Sequence, residues 1–165
     1  MRLVTYVQGE ARRTGAMLDD STIVDLNRAS GGALPTDMIA LLGHGEDAIA
    51  AARTALEAAR AAGQSGASAT GVIISLNLPA VRLDAPVPRP GKALAIGLNY
   101  RDHTEESNFQ QPDHPTIFAR FQSTMIGHLE PIHRPRCSEQ LDFEGEMAVF
   151  IGKGGRHIAK ARALD

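Results

Sequence analysis

The 165-residue chain is long enough for one ordinary domain, or for a small domain and part of another. Its formal charge of −2 supplies no basic field for nucleic acid, and sparse aromatics without Trp offer little base-stacking surface. No apolar run reaches membrane-spanning length, and the opening "MRLVTYVQGEARR" lacks the apolar stretch of a signal peptide, so the expectation is a cytoplasmic globular protein.

The first segment, "MRLVTYVQGEARRTGAMLDDSTIVDL", alternates short apolar runs with the turn signals "QGE" and "LDDST". It predicts three short strands, at about 2–7, 12–18 and 22–26. A helical stretch follows. Thr36 or Asp37 is placed to cap a short helix stopping at Gly43, and an Ala-, Leu-, Glu- and Arg-rich helix is expected from about Glu46 to Ala62. The small polar run "QSGASATG" reads as a loop.

The segment "APVPRPGK" carries three prolines and interrupts any sheet. A domain boundary is expected within 85–91, dividing a small N-terminal domain, 1–88, from a second unit, 89–165. After it "KALAIGLNY" reads as a buried strand ending in a polar turn, and "RDHTEES" as the start of a helix with Asp102 as a possible cap. The lone Cys137 permits no intramolecular disulfide and reads as a small apolar core or loop residue.

Two constellations carry chemistry. On the helix after "GLNY", His103 and Glu106 stand at i and i+3, so their side chains are neighbours. A carboxylate beside an imidazole orients the ring and favours its charged form, which is how a general base is commonly built. The bland alternative is two unrelated polar residues on a solvated helix start.

The second constellation is "LDFEGEMAVFIGK", 141–153, read as a half-buried strand. Strand alternation sends Glu144 and Glu146 to one face, roughly 7 Å apart, together with Ala148 and Phe150. At an effective dielectric near 20 the two charges repel by about 2 kcal/mol. A hard divalent cation such as Mg²⁺, Ca²⁺ or Mn²⁺ would turn that repulsion into attraction, whereas a solvent-washed acidic edge strand would explain the pattern without an ion. Two donors do not complete a site.

Other features are weaker. His114, His128 and His133 match no zinc spacing, and "GKGGRH" lacks the phosphate-loop pattern and reads as a glycine turn. Arg120, in the apolar context "PTIFARFQSTMIG", is either a surface arginine or a clamp for a carboxylate.

In their order and spacing, the blocks "AIGLNYRDHTEE", "PTIFARFQSTMIG" and "LDFEGEMAVFIGKGGRHI" resemble the fumarylacetoacetate hydrolase family. The opening segment resembles the small N-terminal domain of many bacterial members. The resemblance implies an α+β protein: a small N-terminal α/β domain followed by the start of a mixed β-sheet roll. It also implies Mg²⁺ or Mn²⁺ held by three acidic side chains, with Glu144 and Glu146 as two of them. His103 and Glu106 match a catalytic dyad, and Arg120 stands where many members have lysine, next to the active site, with a substrate-binding or structural role.

The activity so implied is hydrolysis of a carbon–carbon bond in a small 2,4-dioxo or enol acid. The alternatives are an isomerase, decarboxylase or lyase of the same family, or a binding module with a decayed site. A segment of about 102–113 is expected to order over the substrate as a lid, and a homodimer is the expected assembly. The third acidic ligand belongs to a later "Asn-Asp" block that "IAKARALD" does not reach, so the expectation is that these residues are the N-terminal part of a longer protein.

Overall fold

The computed structural model describes residues 1–65 and 71–164. Its N-terminal half is a five-stranded antiparallel sheet, built from β1 (Leu3–Gln8), β2 (Ala11–Met17), β3 (Thr22–Asp25), β4 (Ile73–Ser75) and β5 (Val81–Leu83) in the order β4-β3-β2-β1-β5. Three helices interrupt the strand sequence: α1 (Leu26–Ala29), α2 (Met38–Gly43) and α3 (Gly45–Gln64). Asp37 caps α2, accepting the Ala40 N–H at 2.9 Å. Most of the loop expected at 64–71 lies outside the described residues.

The three predicted strands and two predicted helices form with ends shifted by a residue or two. The outer strands β4 and β5 carry too few residues to show a period, and the sheet is antiparallel throughout rather than the α/β arrangement expected.

Strand alternation explains the core. Leu3, Ala16 and Val24 pack on one face with Leu26, Leu41 and the buried stripe Ala48, Ala52, Ala55, Leu56 and Ala59 of α3. These helix positions repeat every three to four residues, and alanine lets the helix lie close on the sheet. Tyr6, Ile23, Ile74 and Val81 form a second cluster on the opposite face. Gly15 is required by this packing, because a Cβ there would lie 2.3 Å from Ile23 Cγ2. The buried Thr5 and Thr14 donate their hydroxyls to the carbonyls of Pro86 at 2.7 Å and Pro35 at 2.6 Å, so both buried hydroxyls are paired with the crossing loops.

Asp25 closes this unit electrostatically. Its fully buried carboxylate accepts from Tyr6 Oη at 2.6 Å, from Arg13 Nε at 2.5 Å and from the Arg28 N–H at 2.9 Å. Burial pushes the carboxyl pKa up, but these donors together outweigh it and hold Asp25 below the ordinary carboxylate range. Burial, seconded by the hydrogen bond to Asp25, pushes the Tyr6 phenol well above its usual value.

The proline-rich segment is not a free spacer. Val87 within it is buried in the α3 core. Beyond it a two-stranded antiparallel sheet pairs β6 (Leu94–Gly97) with β7 (Thr116–Ala119), and α4 (Arg101–Glu106) lies between them in the chain. The expected buried strand is therefore a partly exposed hairpin arm, with Leu94 61% exposed.

Segment 122–130 docks back on the first sheet. Glu130 accepts from the Gly127 N–H at 2.8 Å and pairs with Arg82 of β5 at 2.6 Å. Gly127 is needed there, since a Cβ would stand 2.7 Å from the Leu83 carbonyl oxygen.

The strand expected over 141–153 does not form. These residues are exposed and irregular, and they pair with no described strand. The alternation is present in the sequence, but a strand exists only where a neighbour satisfies its backbone groups, and β7 is paired with β6 instead. Cys137 lies exposed in the loop before it.

Candidate active site

The turn after β6 builds the site. Leu98 takes a left-handed backbone, φ 53°, which reverses the chain before α4 begins. Tyr100 occupies the N-cap position without a side-chain cap, and Asp102 sits in the first turn rather than capping, where its charge still complements the helix dipole. At the other end Asn108 adopts φ 54° and the Phe109 N–H reaches the Thr104 carbonyl at 3.1 Å, a closure asparagine tolerates. Thr104 is the buried residue of α4, so His103, Glu105 and Glu106 surround an anchored position.

His103 and Glu144 come together. The imidazole Nε2 lies 3.3 Å from Glu144 Oε1, with side chains 40% and 62% exposed. A second contact holds the same two segments: the Met147 N–H donates to Tyr100 Oη at 3.2 Å. The two constellations that the sequence presents separately thus meet in one place. Glu106 shares the helix with His103 but is exposed, and among the described residues the carboxylate within ion-pair distance of the imidazole belongs to Glu144. Glu146 is exposed two residues further on.

Arg120 stands apart. Its N–H continues the hairpin pairing, donating to the Ala93 carbonyl at 2.9 Å, and its side chain is exposed. Tyr100 escaped the sequence reading because its hydroxyl acts on a residue far along the chain, and no local pattern announces such a contact.

The donor chemistry of Glu144 and Glu146 suits a hard divalent ion, but the count does not. No group of three or more His, Cys, Asp or Glu able to hold a metal gathers among the described residues. A closed shell needs a further donor. The site is also open. Two concavities, of about 310 and 190 Å³, lie instead at the seam with the first sheet and share Arg12, Pro88 and Arg89. No helix among the described residues is long and apolar enough to cross a membrane.

Comparison with known proteins bears on this arrangement. The family profile described as "Fumarylacetoacetate (FAA) hydrolase C-terminal" matches residues 92–165. The chain is 40% identical over 136 residues to the oxaloacetate tautomerase Fahd2a, mitochondrial, of Rattus norvegicus, covering 82% of this chain and 39% of that protein. It is 35% identical over 160 residues to the oxaloacetate tautomerase YisK of Bacillus subtilis, covering 92% of this chain and 52% of that protein. A crystal structure of a putative HpcE protein from Mycobacterium smegmatis superposes with a TM-score of 0.58 at 26% identity, over 81% of this chain and 41% of that one. The chain thus spans about half the length, or less, of these relatives.

Proposed function

The chain belongs to the fumarylacetoacetate hydrolase family, and from that premise we propose that the complete protein interconverts the keto and enol forms of a small 2-oxo diacid of the oxaloacetate type. The observation that carries this reading is the His103–Glu144 pair at 3.3 Å, a proton-transfer couple on the segments that bear the family's blocks. The tautomerase names of the relatives favour the isomerase alternative over carbon–carbon hydrolysis, the activity first expected.

The chemistry asks for proton movement alone. A proton leaves the carbon next to the 2-oxo group, and a proton is delivered to the oxo oxygen, so no bond between heavy atoms breaks. His103, held by Glu144, takes or returns the carbon-bound proton. Glu106, on the same helix, is the second group in reach of a substrate lying over α4. Arg120 offers a cation for a substrate carboxylate. Segment 102–113 excludes water when substrate is bound.

Glu144 and Glu146 belong, in this reading, to a Mg²⁺ or Mn²⁺ site completed by a donor beyond the described residues. When bound, such an ion supplies Lewis-acid polarisation of the oxo group. A homodimer in the cytoplasm completes the proposal.

The test uses the complete protein with oxaloacetate, following the enol absorbance and assaying pyruvate. Faster loss of enol without pyruvate supports the proposal. Pyruvate with carbon dioxide would identify a decarboxylase, and pyruvate with a second acid from an acylpyruvate would identify a hydrolase. Either result, without tautomerisation, overturns it.

A further inference from the structure

We propose that Gln111 is a positioning residue, whose amide latches the segment after α4 onto both ends of the turn that presents His103. Its Nε2 donates to the Leu98 carbonyl at 2.9 Å, and its Oε1 lies 3.1 Å from the Thr104 hydroxyl. One side chain therefore grips the left-handed residue before α4 and the buried residue within it. The amide has one sound orientation. Turned over, its oxygen would face the carbonyl oxygen of Leu98, and two acceptors repel.

Leu98 explains why a latch is needed. A bulky residue at φ 53° is strained and relaxes unless its surroundings over-determine it. The carbonyl that Gln111 holds is the one that this backbone conformation aims. The Thr104 hydroxyl, also 3.1 Å from the Tyr100 carbonyl, has a single proton to share between that carbonyl and Gln111. Releasing Gln111 frees Leu98 and lets α4 turn about its N-terminus. His103, adjacent to Thr104, and Tyr100, which receives the Met147 N–H, then lose register with the carboxylate segment together. Gln111 itself is exposed and touches neither carboxylate, so its effect on the reaction passes through α4.

The catalytic part of this inference rests on the tautomerase reading; the latch does not. The experiment therefore has two arms on the complete protein, comparing wild type with Gln111→Ala, Gln111→Glu, Thr104→Val and Thr104→Ser. Amide hydrogen exchange should speed up across 98–111 by about fivefold to tenfold in the first three variants, the size of one lost hydrogen bond, and leave the α3 core unchanged. Thr104→Ser, which keeps the hydroxyl, should restore protection. With oxaloacetate, kcat should fall by a similar factor in those three variants while KM stays near the wild-type value. Wild-type exchange in both Gln111→Ala and Thr104→Val would overturn the latch. Faster exchange with unchanged kcat would overturn the positioning role. A wild-type protein inactive on oxaloacetate would sink the tautomerase reading, leaving the exchange arm to decide the latch.

Discussion

His103 Nε2 and Glu144 Oε1 stand 3.3 Å apart, although one belongs to a short helix and the other to an extended segment far along the chain. The imidazole thereby has a carboxylate to orient it, and the carboxylate has a partner that competes with any cation for its lone pairs. Replacing His103 by Ala in the complete protein should lower tautomerase turnover by about a hundredfold, the usual weight of a general base. Calorimetric titration with Mn²⁺ should show affinity retained or slightly raised, because the competing partner is gone. Undiminished turnover would remove His103 from the reaction.

Glu146 has no such partner among the described residues. Glu146→Gln should weaken Mg²⁺ and Mn²⁺ binding in the complete protein by about tenfold or more, since a neutral amide replaces an anionic oxygen donor. Activity should fall in parallel. Unchanged ion affinity by calorimetry would count against Glu146 as a ligand.

The Asp25 network predicts acid sensitivity in the first sheet. The folded-state pKa of Asp25 is depressed, so the carboxylate contributes stability above its unfolded value of about 3.9 and loses it as pH falls through the lower folded value. Arg13→Met leaves the buried charge without its main partner and should cost about 3 kcal/mol at neutral pH. Asp25→Asn should lie below wild type in thermal midpoint at pH 7, with the gap narrowing towards pH 2. A gap independent of pH would refute the linkage.

Close approach makes two glycines testable. Gly15→Ala puts a methyl group against Ile23 and within 3.1 Å of the Val24 carbonyl oxygen, and overpacking of this kind costs about 1–3 kcal/mol in denaturant melts.

Gly127→Ala meets backbone rather than a side chain, so segment 122–130 must move off β5. Hydrogen exchange at 125–130 should rise, and Arg82→Ala should add little to it, because the Arg82–Glu130 pair is already broken. Full additivity of the two substitutions would mean that glycine packing and ion pair act independently.

Much of the fold is legible in the sequence. Apolar alternation and the "QGE" and "LDDST" turns mark β1, β2 and β3, and a cap at Thr36 or Asp37 and the alanine-rich period mark α2 and α3, because each depends on residues within a few positions of one another. The outer strands β4 and β5 were not legible. Three residues show no period, and their place in the sheet depends on β1 and β3, to which they pair. The same dependence decides 141–153, where the alternation is real but the neighbour that makes a strand is missing among the described residues.

The candidate site divides in the same way. Residue type and spacing, with the family resemblance, single out His103, Glu106, Glu144 and Glu146 as groups able to move protons or hold a hard cation, because that capacity resides in the side chains. Which of them meet is a tertiary matter: His103 faces Glu144, and Tyr100 receives the Met147 N–H, which ties the two segments together. A contact between distant segments depends on how the intervening chain turns, here through left-handed residues at Asn108 and Leu129, and no local pattern of residues encodes those angles.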